Sequence, residues 1–182
     1  FFSDSNHRLA VARAGNVIGG GDWAKDRLVP DCFRAWEQGK PVQLRHPGAT
    51  RPWQHVLEPL SGYLNLGQIL HEGYSLHGEG FNFGPIAEQN HTVRQLLEDL
   101  SEYWDFKNVD DAFTVTDNIP FHEAGLLKLN CDKALFYFKW QANMGYKDTI
   151  KFTSEWYYAF YKGSEDMFSK TLRQISSFEN KA

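Results

Sequence analysis

Three polar residues, Asn16, Arg27 and Arg51, stand where their side chains could bind a ligand. Asn16 follows the apolar run Leu9–Ala12, which predicts a buried parallel strand. An amide at the carboxyl end of such a strand can donate to and accept from a sugar hydroxyl or a phosphate oxygen. The alternative is that Asn16 only caps a turn in the glycine-rich segment that follows it.

The two arginines are candidates for binding phosphate. Arg27 directly precedes a predicted helix, and a helix N-terminus beside an arginine attracts anions. Arg51 lies between a turn and Trp53, and its planar guanidinium can donate paired hydrogen bonds to a diphosphate. Either arginine could instead be a surface residue, with Arg51 stacked on Trp53. Arg45, at the end of a short predicted strand, could pack on a base.

No other residue pattern indicates catalysis or metal binding. The histidines form neither a His-Glu-x-x-His pair nor a catalytic-triad order, and no Ser, Cys or carboxylate pair stands in an activating motif. The run Gly19–Gly21 matches neither the dinucleotide fingerprint nor a P-loop. Cys32 and Cys131 lie too far apart in sequence for a metal-binding motif and form no disulfide framework. We therefore predict no catalytic and no metal-binding residue in this chain.

Composition limits the class of protein. The chain has 182 residues, of which 42% are hydrophobic and 15% aromatic, so a packed core is expected. A net charge of −4 argues against general nucleic-acid binding, and no apolar run approaches the length of a membrane span. No signal peptide opens the chain, which favours a cytoplasmic protein. Because the first residue is Phe, we expect a fragment or a processed chain.

Strands and helices alternate in the predicted order of elements, which indicates an α/β fold. Strands are predicted over residues 9–12, 42–45, 54–57, 80–84 and 113–116, and helices over 28–38, 59–72, 92–104, 131–138 and 149–161. Residues 117–127 are expected to be irregular, and the polar tail from about residue 163 to fray. The first strand is so apolar that we expect it inside a parallel sheet whose other strands are not in this chain.

The order of these motifs resembles that of the extended short-chain dehydrogenases/reductases that act on nucleotide sugars. The resemblance covers about residues 8–162 and is carried by Arg13-x-x-Asn16-x-x-Gly19, Arg51-Pro52-Trp53-Gln54-His55-Val56, Phe81-Asn82-Phe83-Gly84 and Lys139-Trp140-Gln141. The first two runs are most similar to the CDP-glucose 4,6-dehydratases, although Pro52 stands where the wider family has Asp. The implied fold is the C-terminal part of the family fold: the last Rossmann-sheet strands plus a small mixed α/β substrate-binding lobe, formed by residues 1–182 as one unit.

The resemblance also implies a role for individual residues. Arg27 and Leu28 would lie along the diphosphate with Arg51, Gln43 to Arg45 would border the cytosine, and Ala14 and Asn16 would lie near the nicotinamide. The implied substrate-binding set is Asn16, Arg27, Leu28, Gln43, Leu44, Arg45, Arg51, His122 and Glu123. The segment Asn118–Pro120 lacks the phosphate-binding arginine often found there in similar enzymes.

The implied activity is that of an NAD-dependent lyase. Such enzymes oxidise C4 of CDP-glucose, eliminate water across C5 and C6, and return the hydride, giving CDP-4-keto-6-deoxyglucose for deoxysugar and O-antigen lipopolysaccharide synthesis. The glycine-rich NAD fingerprint, the Tyr-x-x-x-Lys pair and the acid/base carboxylate would lie upstream of Phe1, so this chain alone is expected to be inactive and poorly stable. The complete enzyme would be a homo-oligomer. The alternatives are another nucleotide-sugar dehydratase or epimerase, or a non-catalytic nucleotide-sugar binding module.

Overall fold

The computed structural model describes residues 7–73, 75–86, 88–116 and 127–181. In these ranges eight strands and six α-helices follow one another, with a single 3-10 turn at Val109–Asp111. The strands are β1 (Val11–Ala14), β2 (Val17–Ile18), β3 (Val42–Leu44), β4 (Thr50–Arg51), β5 (Gln54–His55), β6 (Gly80–Phe83), β7 (His91–Thr92) and β8 (Phe113–Val115). The helices are α1 (Leu28–Glu37), α2 (Leu57–Glu72), α3 (Val93–Ser101), α4 (Asp132–Phe138), α5 (Tyr146–Lys162) and α6 (Met167–Glu179).

The strands of the described residues pair in twos, and three of the four pairs are parallel. β1 pairs with β6, β2 with β5 and β3 with β8, whereas β4 and β7 are antiparallel. Parallel partners must be separated by a crossover connection, and helices supply these connections here. The predicted α/β class is therefore confirmed.

The first strand differs from its prediction in position. β1 begins at Val11, two residues later than predicted, and pairs with β6 of the same chain from Val11–Gly80 to Ala14–Phe83. Val11 is 51% exposed and Leu9 49%, so this chain alone does not bury the strand, and its burial inside a larger parallel sheet stays a prediction. An apolar run shows that a strand is suited to burial, but it does not show which surface will cover it.

Two clusters of side chains form most of the core. In the larger one, α1, α3 and α5 meet: Phe33 stacks on Tyr157 with ring centroids 4.3 Å apart, and Leu96, Leu97 and Leu100 of α3 are fully buried beside them. The hydroxyl of Thr92 accepts a hydrogen bond from the amide of Gln95 at 3.1 Å, as the predicted N-terminal cap of α3 requires. In the smaller cluster, β6 packs between α2 and α4 through its alternate phenylalanines.

The polar tail beyond residue 163 forms α6, which the sequence pattern did not indicate. Asp166 caps this helix by accepting from the amide of Ser169 at 2.8 Å. Gln174 donates from Nε2 to the carbonyl of Phe152 at 2.8 Å, and Phe178 is buried in a small cluster that includes Phe152. In α6 only Gln174 and Phe178 are buried, and hydrogen bonds to α5 largely hold the helix, which explains why the polar composition of the tail did not predict it.

Two glycines of α2 provide a matched test of this packing. A Cβ added at Gly62 would overlap the ring of Phe83, whereas one at Gly67 meets no atom within 4 Å. We expect Gly62→Ala to lower the free energy of unfolding by about 1–3 kcal/mol through overpacking, and Gly67→Ala to raise it by about 0.5–1 kcal/mol through helix propensity. Urea denaturation of both variants measures the difference. A Gly62→Ala variant as stable as Gly67→Ala would contradict this packing of α2 on β6.

Candidate functional site

The described residues form a cavity with a volume of about 760 Å³. It lies beside the segment from β1 to β2, the N-terminus of α1 and strands β3 and β4. Its walls are formed by Asn16, Val17, Ile18, Gly19, Asp22, Asp26, Arg27, Leu28, Val29, Pro30, Asp31, Val42, Gln43, Leu44, Arg45, His46, Arg51, Trp53 and Val93. A cavity of this size is in the usual range for a small-molecule site.

The structure brings most of the predicted site residues to this one cavity. The residues that line it are Asn16, Arg27, Leu28, Gln43, Leu44, Arg45 and Arg51. Ala14, predicted to lie near the cofactor, ends β1 and is not part of the lining. His122 and Glu123 lie outside the described residues. The ligand roles of all these residues stay predictions, because no ligand is present.

Arg27 is positioned by the loop that precedes α1. It is the N-terminal cap residue of α1, and its Nε lies 3.3 Å from Oδ2 of Asp22. The other oxygen of Asp22 accepts a hydrogen bond from the amide of Ala24 at 3.0 Å, which fixes the carboxylate. Because the ion pair uses Nε, the two terminal amino groups of Arg27 remain available to an anion. No side chain caps α1, and Leu28 and Val29 of its first turn line the cavity, so no side-chain cap takes up their backbone amides at this end.

Strand β3 turns one edge of its backbone away from β8. The amide of Val42 donates to the carbonyl of Ala112 at 3.0 Å, and the carbonyl of Leu44 accepts from the amide of Thr116 at 2.9 Å. Backbone groups of successive residues alternate in direction along a strand, so the N–H and C=O of Gln43 point away from β8. Gln43 lines the cavity, and its backbone therefore offers one donor and one acceptor to a planar ligand edge.

Arg51 reaches the cavity from β4. Its Nη1 donates to the carbonyl of Thr50 at 2.8 Å, and its backbone pairs with His91 of β7. This pairing explains why Val93, some forty residues away in sequence, also lines the cavity. Trp53, only 6% exposed, forms part of the same wall and is packed into the larger core cluster. The guanidinium of Arg51 is thus carried on a well-packed segment.

Sequence reasoning missed several lining residues, above all three aspartates and Val93. Asp22, Asp26 and Asp31 lie within or just after the glycine-rich segment, where a carboxylate beside Arg27 could have been recognised. Val93 gave no local signal, because only the antiparallel pairing of β4 with β7 brings it to the cavity.

His55 lies beneath the cavity wall and contributes no positive charge near neutral pH. Burial lowers the pKa of its imidazole to about 4. A Cβ added at Gly19 would lie 3.4 Å from Nε2 of His55 and still closer to Val56, so only glycine lets this wall approach β5 closely. Near neutral pH the arginines of the wall, Arg27, Arg45 and Arg51, therefore carry its positive charge.

The side chain of Trp156 covers Gly20 and Gly21, so the backbone of the glycine run is not open to a phosphate. The ring of Trp156 occupies the space above Gly20, where an added Cβ would overlap it, and extends over Gly21. In the described residues we find no glycine-rich turn that a pyrophosphate could approach. The glycine run therefore forms no cradle for a dinucleotide, and the cofactor contacts expected of Ala14 and Asn16 stay predictions.

The described ranges lack a metal-binding cluster and a membrane-spanning helix. They contain no group of three or more His, Cys, Asp or Glu side chains that could hold a metal ion. None of their helices combines the length and the hydropathy needed to cross a membrane.

Comparison of the sequence with known proteins gives one strong match. The chain is 43% identical over 98% of its length to CDP-glucose 4,6-dehydratase of Salmonella typhimurium, and it covers 50% of that protein. No family model matches the chain.

Solved structures match the fold at low sequence identity. UDP-glucose 4-epimerase from Stenotrophomonas maltophila, with bound NAD and formylated UDP-arabinopyranose, matches with a TM-score of 0.71 at 16% identity, over 87% of this chain and 50% of that one. UDP-glucuronic acid 4-epimerase from Bacillus cereus, in complex with UDP-glucuronic acid and NAD, matches with 0.70 at 12% identity, over 87% and 48%. The NAD complex of dTDP-glucose 4,6-dehydratase from Bacillus anthracis matches with 0.66 at 21% identity, over 82% and 44%.

The chain thus spans about half the length of the proteins it matches. Its mixed α/β fold corresponds to the C-terminal half of the extended short-chain dehydrogenases/reductases, and its sequence similarity to the CDP-glucose 4,6-dehydratases of that family is confirmed.

Proposed function

We propose that this chain forms the nucleotide-sugar-binding part of an NAD-dependent CDP-glucose 4,6-dehydratase, a lyase that makes CDP-4-keto-6-deoxyglucose. The observation that best supports this is that every described residue expected to bind the substrate lines one cavity. The sequence similarity to the Salmonella dehydratase supports the same activity.

The diphosphate is proposed to bind between Arg27 and Arg51. Arg27 offers the two amino groups that its ion pair with Asp22 does not use. Arg51 projects from β4 on the cavity wall, and the uncapped N-terminus of α1, beginning at Leu28, adds its partial positive charge. Charge-assisted hydrogen bonds from two directions would hold the bent diphosphate in one orientation.

The base is proposed to bind along β3. The backbone N–H of Gln43 can donate to the ring nitrogen of cytosine, and its C=O can accept from the exocyclic amine. Leu44, 1% exposed, fixes the strand in the core, while the side chain of Arg45 lies at the cavity and can cover the base. The base would thus be held by the backbone of Gln43 in β3 and by the side chain of Arg45, which directly follows this strand.

NAD is proposed as the cofactor of the whole enzyme, because the solved structures that this fold matches contain it. When bound, it supplies oxidation at C4 of the sugar, which makes the C5 proton acidic enough to be removed. Asn16 would contact the sugar-phosphate at the nicotinamide side, and Ala14 would lie beside it. The described residues do not form a dinucleotide cradle, so no catalytic step is assigned to them.

We also propose the product class, the cellular location and the oligomeric state of the enzyme. The product class is a deoxysugar nucleotide of the kind used for O-antigen lipopolysaccharide, made by a cytoplasmic homo-oligomer that binds neither nucleic acid nor membrane. Two other functions are considered, and the base preference below tests the first of them. The match to UDP-sugar epimerase structures favours another nucleotide-sugar enzyme, and the absence of assigned catalytic residues favours a non-catalytic binding module.

The base preference tests the assignment. We expect the chain to bind CDP more tightly than UDP or dTDP by about 5- to 150-fold, because uracil or thymine would place a carbonyl against the C=O of Gln43, and an unpaired buried polar group costs about 1–3 kcal/mol. Calorimetric titration with the three diphosphates measures this.

Variants locate the binding in the cavity. Arg51→Ala should weaken binding of all three diphosphates by about 1.5–3 kcal/mol and keep their order. The exposed Arg173 of α6 is the control, and its replacement by Ala should change nothing. A preference for dTDP or UDP would reassign the chain to another dehydratase or to an epimerase, and no binding of any nucleotide would contradict the proposal.

A further inference from the structure

We propose that Tyr157 of α5 is a positioning residue: its hydroxyl holds the loop over residues 19–27 so that Asp22 keeps Arg27 at the mouth of the cavity. We name this segment between β2 and α1 the glycine loop. The proposed effect on the ligand rests on the proposed function, whereas the contact itself rests on geometry alone.

Tyr157 is buried and rigid, and its only polar atom is directed at the glycine loop. Its side chain is fully buried, and its ring stacks on Phe33 at 4.3 Å with an interplanar angle of 17°. The hydroxyl donates to the backbone carbonyl of Asp22 at 2.7 Å, across 135 residues of sequence. Since the stacked ring cannot turn freely, the position of this hydroxyl determines the position of the Asp22 backbone.

Asp22 connects the hydroxyl of Tyr157 to Arg27 on the cavity wall. Its Oδ2 lies 3.3 Å from Nε of Arg27, and its Oδ1 accepts from the amide of Ala24 at 3.0 Å. Asp22 thus joins α5 to Arg27 through its backbone carbonyl and its carboxylate. A displacement of its backbone would move the carboxylate that orients Arg27.

The loop needs such a contact because its backbone is not in a relaxed conformation. Asp26, which precedes Arg27, has φ of 61°, in the left-handed region that costs an L-residue about 1–2 kcal/mol. The loop holds this shape only where surrounding contacts fix it. Cooperating contacts are present: Trp23 packs edge-on against Tyr157 at 5.6 Å, and Arg34 donates to the carbonyls of Trp23 and Ala24 at 3.2 and 2.9 Å.

These other contacts do not depend on the Tyr157 hydroxyl, so removal of the hydroxyl changes the position of the glycine loop and not the folding of the chain. If the hydroxyl of Tyr157 is removed, the stack on Phe33, the packing of Trp23 and the bonds from Arg34 all remain. The core therefore stays intact, while the carbonyl of Asp22 loses its donor. The backbone of Asp22 is then no longer held in place, and neither is the carboxylate that pairs with Arg27. The consequence is a change in loop position and in anion binding, with little change in global stability.

Tyr157→Phe tests the contact, and Tyr158→Phe is the matched control. Tyr158 lies next to it on α5 and loses a comparable bond, to Oδ1 of Asp105 at 3.0 Å, far from the loop. Lys25 and Arg27 make the exposed loop a trypsin substrate. We expect Tyr157→Phe to raise the rate of cleavage at these two residues about fivefold, the effect of one lost hydrogen bond on the open fraction, and Tyr158→Phe to leave it unchanged.

Affinity for CDP tests whether the contact acts through Arg27. As a single substitution, Tyr157→Phe should weaken CDP binding about threefold to tenfold. In a chain that already carries Arg27→Ala, it should have no further effect on CDP binding. Equal cleavage rates for the two tyrosine variants would overturn the proposal, as would the same loss of affinity with and without Arg27. If the unaltered chain binds no CDP, the proposed function fails, and the cleavage rates alone decide the role of Tyr157.

Discussion

Replacing Glu58 by Ala is expected to lower the free energy of unfolding by about 2–4 kcal/mol, the largest effect of any single substitution considered for this chain. This carboxyl is 1% exposed and lies in the first turn of α2. Its Oε1 accepts hydrogen bonds from the backbone amides of Asn143, at 2.9 Å, and of Met144. A single side chain thus fastens the segment between α4 and α5 to the start of α2.

The magnitude follows from what Ala leaves behind. The amide of the buried Met144 loses its acceptor, and an unpaired buried group costs about 1–3 kcal/mol. Asn143 is exposed, so the loss of its bond costs about 0.5–1.5 kcal/mol. Met144 itself is 3% exposed, so water reaches its amide poorly. Because a domain is stable by only about 5–15 kcal/mol, the variant should unfold at much lower urea concentration.

Glu58→Gln separates the hydrogen bonds from the charge. Gln keeps an acceptor oxygen for both amides, and its loss of stability should be about 1 kcal/mol or less. Burial raises the pKa of the Glu58 carboxyl, while the bonds from Met144 and Asn143 lower it, so removing the charge also removes a desolvation cost. If the Ala and Gln variants unfold at the same urea concentration, the two backbone bonds do not fasten the segment.

Residue chemistry indicated Asn16, Arg27, Arg45 and Arg51, and the family resemblance added the other predicted residues that line the cavity. Together they account for most of the predicted site, because a continuous stretch of chain forms most of the cavity wall. The predicted binding residues from Asn16 to Arg51 lie between β1 and β4, so one stretch of short elements and loops brings them together. The helices were predicted for a similar reason. The periodic apolar residues of α1 and α3 and the cap at Thr92 are local properties.

Features that depend on pairing between distant residues could not be predicted in this way. β2, β4 and β7 are each two residues long and exist only through their partners. Val93 reaches the cavity through such a pair, and the bond from Tyr157 to Asp22 joins residues 135 positions apart. β1 shows the same limit, because its apolar residues do not reveal that β6 would be its partner.

Stability is also expected to fall as the pH is lowered below neutrality, through His55. This imidazole is 2% exposed, and its Nε2 has no hydrogen-bond partner in the described residues. Nδ1 accepts from the amide of Leu57 at 3.4 Å, and the ring meets Phe152 edge-on at 5.5 Å. A proton added to Nδ1 would break the first contact and place a charge against an aromatic ring.

The direction of the effect follows from the pKa of His55 in the two states. Burial lowers this pKa from 6.5 to about 4 in the folded chain, whereas the unfolded chain keeps the ordinary value. Between these values the unfolded state binds a proton that the folded state does not, so stability is complete above pH 6.5 and is lost as the pH falls toward 4. The whole shift corresponds to about 3 kcal/mol, of which about 2 kcal/mol is lost between pH 6.5 and 5.

Comparison of His55→Gln with the unaltered chain isolates this contribution. The pKa of Glu58 is raised, so its own effect has the opposite sign, with stability falling as the pH rises above 4.5, and it cancels when the two proteins are compared. We expect the loss of stability from pH 7.5 to 5, measured by urea denaturation, to be about 2 kcal/mol smaller in His55→Gln. His71→Gln, the same substitution at an exposed position of α2, is the control for replacing an imidazole by an amide. An unchanged pH dependence in His55→Gln would mean that this imidazole becomes protonated as readily in the folded chain as in the unfolded one, and that the wall beneath Gly19 admits water.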